Sequence, residues 1–147
     1  MTAAVGEHQG QIAVVTGAAQ GLGLGIAQHL AQRGAAVVMV DRQGEKVTAA
    51  AAELTDTGLT VRAACADVTS SDQVHELFRD VAQQDGRIDI LVNNAGLGQD
   101  VAAITELSDQ HWQQVIDVTL TGTFFCCRSA GRWMRRRESG AIVNISS

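Results

Sequence analysis

Thr16-Gly17-Ala18-Ala19-Gln20-Gly21-Leu22-Gly23 decides the reading of this chain. It follows a short apolar run, Ile12–Thr16, and opens a helical pattern in which Ile26 and Leu30 lie one turn apart. Glycines let a strand turn tightly into a helix, because no Cβ obstructs the backbone. A plain strand-to-helix turn would need no more than that, so the flanking pattern has to decide.

Working outward, four more short apolar runs occupy 35–40, 60–66, 88–92 and 141–145. Runs apolar on both faces suit parallel strands covered by helices on each side. Helical patterns with readable ends lie between them. Gly34 stands where a C-terminal cap belongs, and the alanine-rich stretch 44–57 ends at Gly58. Ser70 with Gln73 forms a capping box, after which Val74, Leu77, Phe78 and Val81 make one apolar face. Ser108 can cap a last helix through Trp112, Val115, Ile116 and Leu120, running to about Arg137. This β-α alternation predicts an α/β, Rossmann-type doubly wound parallel sheet of five strands in order 3-2-1-4-5. No linker or repeat interrupts it. Residues 11–147 read as one domain, and 1–10 as a flexible, polar leader without the apolar core of a signal peptide.

Bulk properties narrow the function. A chain of 147 residues with a net charge of −5 suits a single domain and argues against a protein that coats nucleic acid. No apolar run approaches the roughly 20 residues of a membrane helix. Cys65, Cys126 and Cys127 are odd in number and two are adjacent, which fits a reducing cytoplasm better than a disulfide framework. His8, His29, His75 and His111 are scattered, and no pair has metal-ligand spacing. No metal is expected.

The glycine stretch has a chemical use. A pyrophosphate sits well on a helix N-terminus, against free N–H groups and the positive end of the dipole. Asp41 ends the second run. A carboxylate there can accept from both adenosine ribose hydroxyls and would repel a 2′-phosphate, which favours NAD over NADP. Arg42 follows directly and partly offsets that repulsion. The alternative role for Asp41 is an N-cap for residues 43–57.

The whole chain from about Gln11 resembles the short-chain dehydrogenase/reductase family. Thr16–Gly23 matches its TGxxxGxG motif, Asp67-Val68 its adenine-contacting position, and Asn93-Asn94-Ala95-Gly96 its NNAG motif. Gly140–Ser147, reading GAIVNISS, matches the strand that delivers the family's serine. The resemblance implies that Gly17, Gln20, Gly21, Leu22 and Gly23 bind the pyrophosphate and nearby ribose. It puts Asp67 and Val68 on the adenine, and Asn94, Ala95 and Gly96 under the ribose. Members that prefer NADP often carry Arg where Gln20 stands, so Gln20 also supports NAD(H). Structural bracing of the central strands is the other role open to Asn93 and Asn94.

The same resemblance assigns Ser147 to orienting a substrate carbonyl. The family's catalytic Asn is replaced by Thr119, within Val118-Thr119-Leu120-Thr121-Gly122, and a hydroxyl there can simply bond back to its own helix. The family's YxxxK would fall beyond Ser147. There is no tyrosine in the chain, and Lys46 is its only lysine. The chain as given is therefore expected to bind NAD(H) without turning over an alcohol or ketone, and to be marginally stable with an exposed last strand.

Arg132, Arg135, Arg136 and Arg137 read as a helix C-terminus complementing its dipole. Phe124, Phe125 and Trp133 read as core. In the family this 108–137 helix often lines a dimer interface, so a homo-oligomer is expected. Two readings stay open: part of a cytoplasmic NAD-dependent oxidoreductase, or a non-catalytic dinucleotide-binding module. A methyltransferase shares the glycine loop and the carboxylate but gives no reason for NNAG or NISS.

Overall fold

The computed structural model describes residues 6–97 and 102–146. Five parallel strands, β1 (Ile12–Thr16), β2 (Ala36–Asp41), β3 (Val61–Cys65), β4 (Ile90–Asn93) and β5 (Ala141–Asn144), form one sheet in order β3-β2-β1-β4-β5. This is the expected order. Helices α1 (Gly21–Gln32), α2 (Gly44–Asp56) and α3 (Ser71–Asp85) make the first three crossovers. α4 (Asp109–Ile116) and α5 (Gly122–Arg137) make the fourth, joined by a π-helical turn at Asp117–Thr121.

Alternation along β1 explains the two-sided core. Ile12 and Val14 enter one apolar layer with Val38, Phe78 and Leu91. Ala13 and Val15 enter the other with Val37, Met39 and Val47. A strand buried on both sides has no polar face, which is why these strands read as continuous apolar runs. Each fully buried Val, Leu or Phe side chain contributes about 1.5–3 kcal/mol from burial.

The helix ends follow their signals with one change. Ser70 Oγ accepts from Gln73 N–H at 3.4 Å, as a capping box requires. Gln73 Oε1, however, accepts from Asp67 N–H at 2.9 Å. The reciprocal bond reaches the loop before the cap and fixes it against α3. Gly86 closes α3 in the left-handed region at φ 72°, and Gly34 follows α1 at φ 99°. Residues 6–10, expected as part of a flexible leader, form a turn docked on the end of α1. His8 N–H donates to the Arg33 carbonyl at 2.9 Å, and Glu7 pairs with Arg33.

At the opposite end of the sheet from the glycine stretch, Asp89 ties β4 to β1. Its carboxylate accepts from Ile12 N–H at 2.8 Å and from Arg87 Nε and Nη2 at 2.7 and 2.6 Å. Burial alone pushes this carboxyl up. The Arg87 hydrogen bonds, the Ile12 N–H and the charges of Arg87 and Arg137 outweigh it and hold the group below its ordinary value.

Candidate functional site

The carboxyl ends of β1, β2, β3 and β4 border a cleft of about 640 Å³. Crossovers to both sides of β1 separate the loops there, and ligands of such sheets bind at that switch point. Gly17, Gln20, Gly21 and Leu22 form one wall, from the loop that opens α1. Gly21 lies in the left-handed region at φ 57°, and a Cβ added to it would meet no protein atom within 4 Å. That side of the loop is open for a ligand to approach the backbone. α1 carries no acidic residue in its first turn, so nothing there opposes an anion at its N-terminus.

Gly23, expected among the binding residues, is buried behind this wall. A Cβ there would lie 2.2 Å from the Gly17 carbonyl oxygen and 2.5 Å from Asn94 Nδ2. Its role is to let α1 approach the loop, so it shapes the cleft without lining it.

Thr16 and Asn94 hold the loop in place. Thr16 Oγ1 accepts from the N–H groups of Asn94 and Ala95, both at 3.0 Å. Asn94 Nδ2 donates to the carbonyls of Thr16 and Gly17, both at 3.2 Å. Bracing is therefore one role of Asn94, and with Ala95 and Gly96 it also forms the cleft floor. Asn93 points the other way. Its Nδ2 donates to Asn144 Oδ1 at 2.8 Å and to Cys127 Sγ at 3.3 Å, joining β4 to β5 and α5.

Asp41 and Arg42 stand at the lip. Asp41 Oδ2 accepts from Ala19 N–H at 3.2 Å, and Oδ1 from Gln43 N–H at 2.9 Å. The N-cap of α2 is Gln43 itself, so Asp41 supports that helix from two residues before it while fixing the glycine loop. Asp67 and Val68 form the third wall. Asp67 Oδ1 takes both the N–H and the hydroxyl of Thr69, at 2.9 and 2.8 Å, which orients the carboxylate. Gly122 lets α5 press on Val68, where a Cβ would come within 2.8 Å of Val68 Cγ2. Val118, in the π turn, thereby reaches the cleft.

Thr119 does not line the cleft. Its hydroxyl donates to the Val115 carbonyl at 2.6 Å, and its own carbonyl accepts from Thr123 Oγ1 at 2.8 Å. The donor is spent on its own helix, as threonines in helices commonly do. Ser147 lies outside the described residues. Burial, with Cys127 beside it, pushes the Cys126 thiol up to about 12, so it is inert near neutral pH. Among the described residues no group of three His, Cys, Asp or Glu side chains could hold a metal ion, and no helix is long and apolar enough to cross a membrane.

Sequence reasoning missed the Thr16 hydroxyl and the lining by Val40, Gln43, Ala66, Leu97 and Val118. A polar residue closing an apolar run was the available signal for Thr16. The others adjoin motif residues and carry no signal of their own.

A family model described as short chain dehydrogenase matches residues 11–147. The chain is 39% identical over 146 residues to the short-chain reductase protein NovJ of Streptomyces niveus, covering 99% of this chain and 55% of that protein. The structure of an NAD+-bound xylitol dehydrogenase matches with TM-score 0.92 at 31% identity, covering 96% of this chain and 54% of that one. A metagenomic short-chain oxidoreductase in complex with NADP matches with TM-score 0.89 at 35% identity, covering 95% and 63%. The chain belongs to the short-chain dehydrogenase family, a family of oxidoreductases that bind nicotinamide dinucleotides. It spans about half the length of the curated relatives it matches.

Proposed function

We propose that this chain is the NAD(H)-binding part of an oxidoreductase acting on a small alcohol or ketone. The observation that carries this reading is the Asp41 carboxylate, fixed at the cleft lip by Ala19 and Gln43 N–H groups. There it can accept from the adenosine ribose hydroxyls and oppose a 2′-phosphate. Gln20, uncharged in the same wall, supports the same preference for NAD(H) over NADP(H). Gly17, Gly21 and Leu22 receive the pyrophosphate at the N-terminus of α1. Asp67 and Val68 take the adenine, and Asn94, Ala95 and Gly96 the ribose. The bound cofactor supplies the hydride donor or acceptor.

Ser147 orients a substrate carbonyl in this reading, and Thr119 contributes no free donor. With no tyrosine to serve as the proton donor, the 147-residue chain by itself binds cofactor without turnover. Trp112 on α4, Leu120 in the π turn and Phe124 on α5 are exposed and suit a homo-oligomer contact. The acidic balance opposes nucleic acid, and the cysteine pattern supports a cytoplasmic location.

Calorimetry with NADH and NADPH tests the proposal. NADH should bind more tightly, and Asp41→Ala should cost about 1.5–3 kcal/mol of NADH binding, the worth of a charge-assisted hydrogen bond. NADPH binding at least as tight as NADH would overturn the cofactor assignment. Steady turnover of an alcohol or ketone by the 147-residue chain would overturn the assignment of its catalytic deficit.

A further inference from the structure

We infer that Gln73, through the hydrogen bond it accepts from the Asp67 backbone, is a positioning residue for the third wall of the cleft, and that it sets how strongly this wall prefers adenine to a base with a carbonyl in place of the amino group. The inference rests on the cofactor reading above and adds to it a residue outside the cleft.

The segment from Ala66 to Ser70 leaves the sheet after β3 and turns into α3. Ala66 N–H donates to the Asp41 carbonyl at 3.2 Å, and Ser70 N–H donates to the Asp67 carbonyl at 3.0 Å. The Asp67 N–H lies between these two fixed points. Its partner is Gln73 Oε1, 2.9 Å away on the first turn of α3. Because a backbone N–H donates, the amide oxygen of Gln73 must be the atom that faces it. Gln73 is exposed, but the helix that carries it is seated in the core by Val74 and Phe78, both fully buried. The wall is thereby referenced to a packed helix. On its far side Gly122 lets α5 press on Val68.

What this bond holds is the Asp67 carboxylate. Thr69 donates twice to Oδ1, and among the described residues Oδ2 has no partner. One oxygen therefore remains to accept from a ligand. The amino group of adenine donates to such an oxygen, whereas a 6-oxo purine sets a second acceptor against it. A site built to receive a donor rejects an analogue that lacks it. Without Gln73 the chain turns more freely about the Asp67 N–Cα bond, the carboxylate turns with it, and the discrimination falls.

Calorimetry on the 147-residue chain with NADH and with its hypoxanthine analogue tests this. The parent chain should bind NADH more tightly. Gln73→Met keeps the length and removes the acceptor; it should weaken NADH about fivefold, the range of one neutral hydrogen bond, and change the analogue less than about twofold. Gln73→Glu keeps an acceptor and should retain NADH affinity within about twofold of the parent. Equal weakening of both dinucleotides by Gln73→Met would overturn the inference, because Gln73 would then support the cleft without regard to the base. So would no change in either, or a loss with Gln73→Glu equal to that with Gln73→Met. Equal binding of the two dinucleotides by the parent chain would remove the discrimination itself and overturn the inference while leaving cofactor binding in place. Failure of both to bind the parent would instead refute the cofactor reading, and this inference with it.

Discussion

β4 and β5 lie side by side with similar sequences, ILVN and AIVN, and end in different surroundings. Leu91 of β4 is fully buried, while Ile142, its register partner on β5, is 39% exposed. β4 has β1 on its other side and sends side chains into both core layers. β5 is an edge among the described strands, and all four of its residues are exposed. The last helix shows the same division around its axis. Cys126, Ala130 and Met134 are buried, whereas Phe124 is 54% exposed. Apolar content identifies an element; its neighbours decide what that content is worth.

The sharpest test compares the two register partners. Leu91→Ala should cost about 2–5 kcal/mol, as expected where a buried leucine leaves a cavity, and Ile142→Ala less than about 1 kcal/mol. Urea unfolding of the 147-residue chain measures both, and equal losses would break the comparison. A second contrast sits within α1. Gly23→Ala forces a Cβ against the Gly17 carbonyl and should destabilise by about 1–3 kcal/mol. Gly25→Ala, with no atom within 4 Å of the added Cβ, should stabilise by about 0.5–1 kcal/mol. A loss at Gly25 matching that at Gly23 would mean that α1 packs differently.

The smallest effect concerns two aspartates. Asp89 is buried and bonded on both oxygens, whereas Asp80 pairs with Arg79 in solvent. Asp89 is held below its ordinary value, so its contribution is full above an unfolded value of about 3.9 and is lost as pH falls through the lower folded one. Asp89→Asn should flatten the acid limb of stability against pH, and Asp80→Asn should leave it in place. Identical acid limbs for Asp89→Asn and the parent chain would remove Asp89 from the account.

Strand order, the glycine loop and the three walls of the cleft were legible in the sequence because each rests on local rules. Apolar runs bounded by glycine mark the strands, and motif residues sit where strands end. Gln20, Asp41, Arg42, Asp67, Val68 and Asn94 all line the cleft. What tertiary structure alone decided involves partners distant in the chain. Thr16 Oγ1 meets Asn94 across 78 positions, and Lys46 meets Gln20 across 26. Packing also set Gly23 against the Gly17 carbonyl and Asn94, where a Cβ would not fit, and joined α4 to α5 through a π turn. It left β5 as an exposed edge among the described strands. Propensity and hydrophobic period act over a turn or a pleat, whereas burial and long-range hydrogen bonds depend on which elements the folded sheet places side by side.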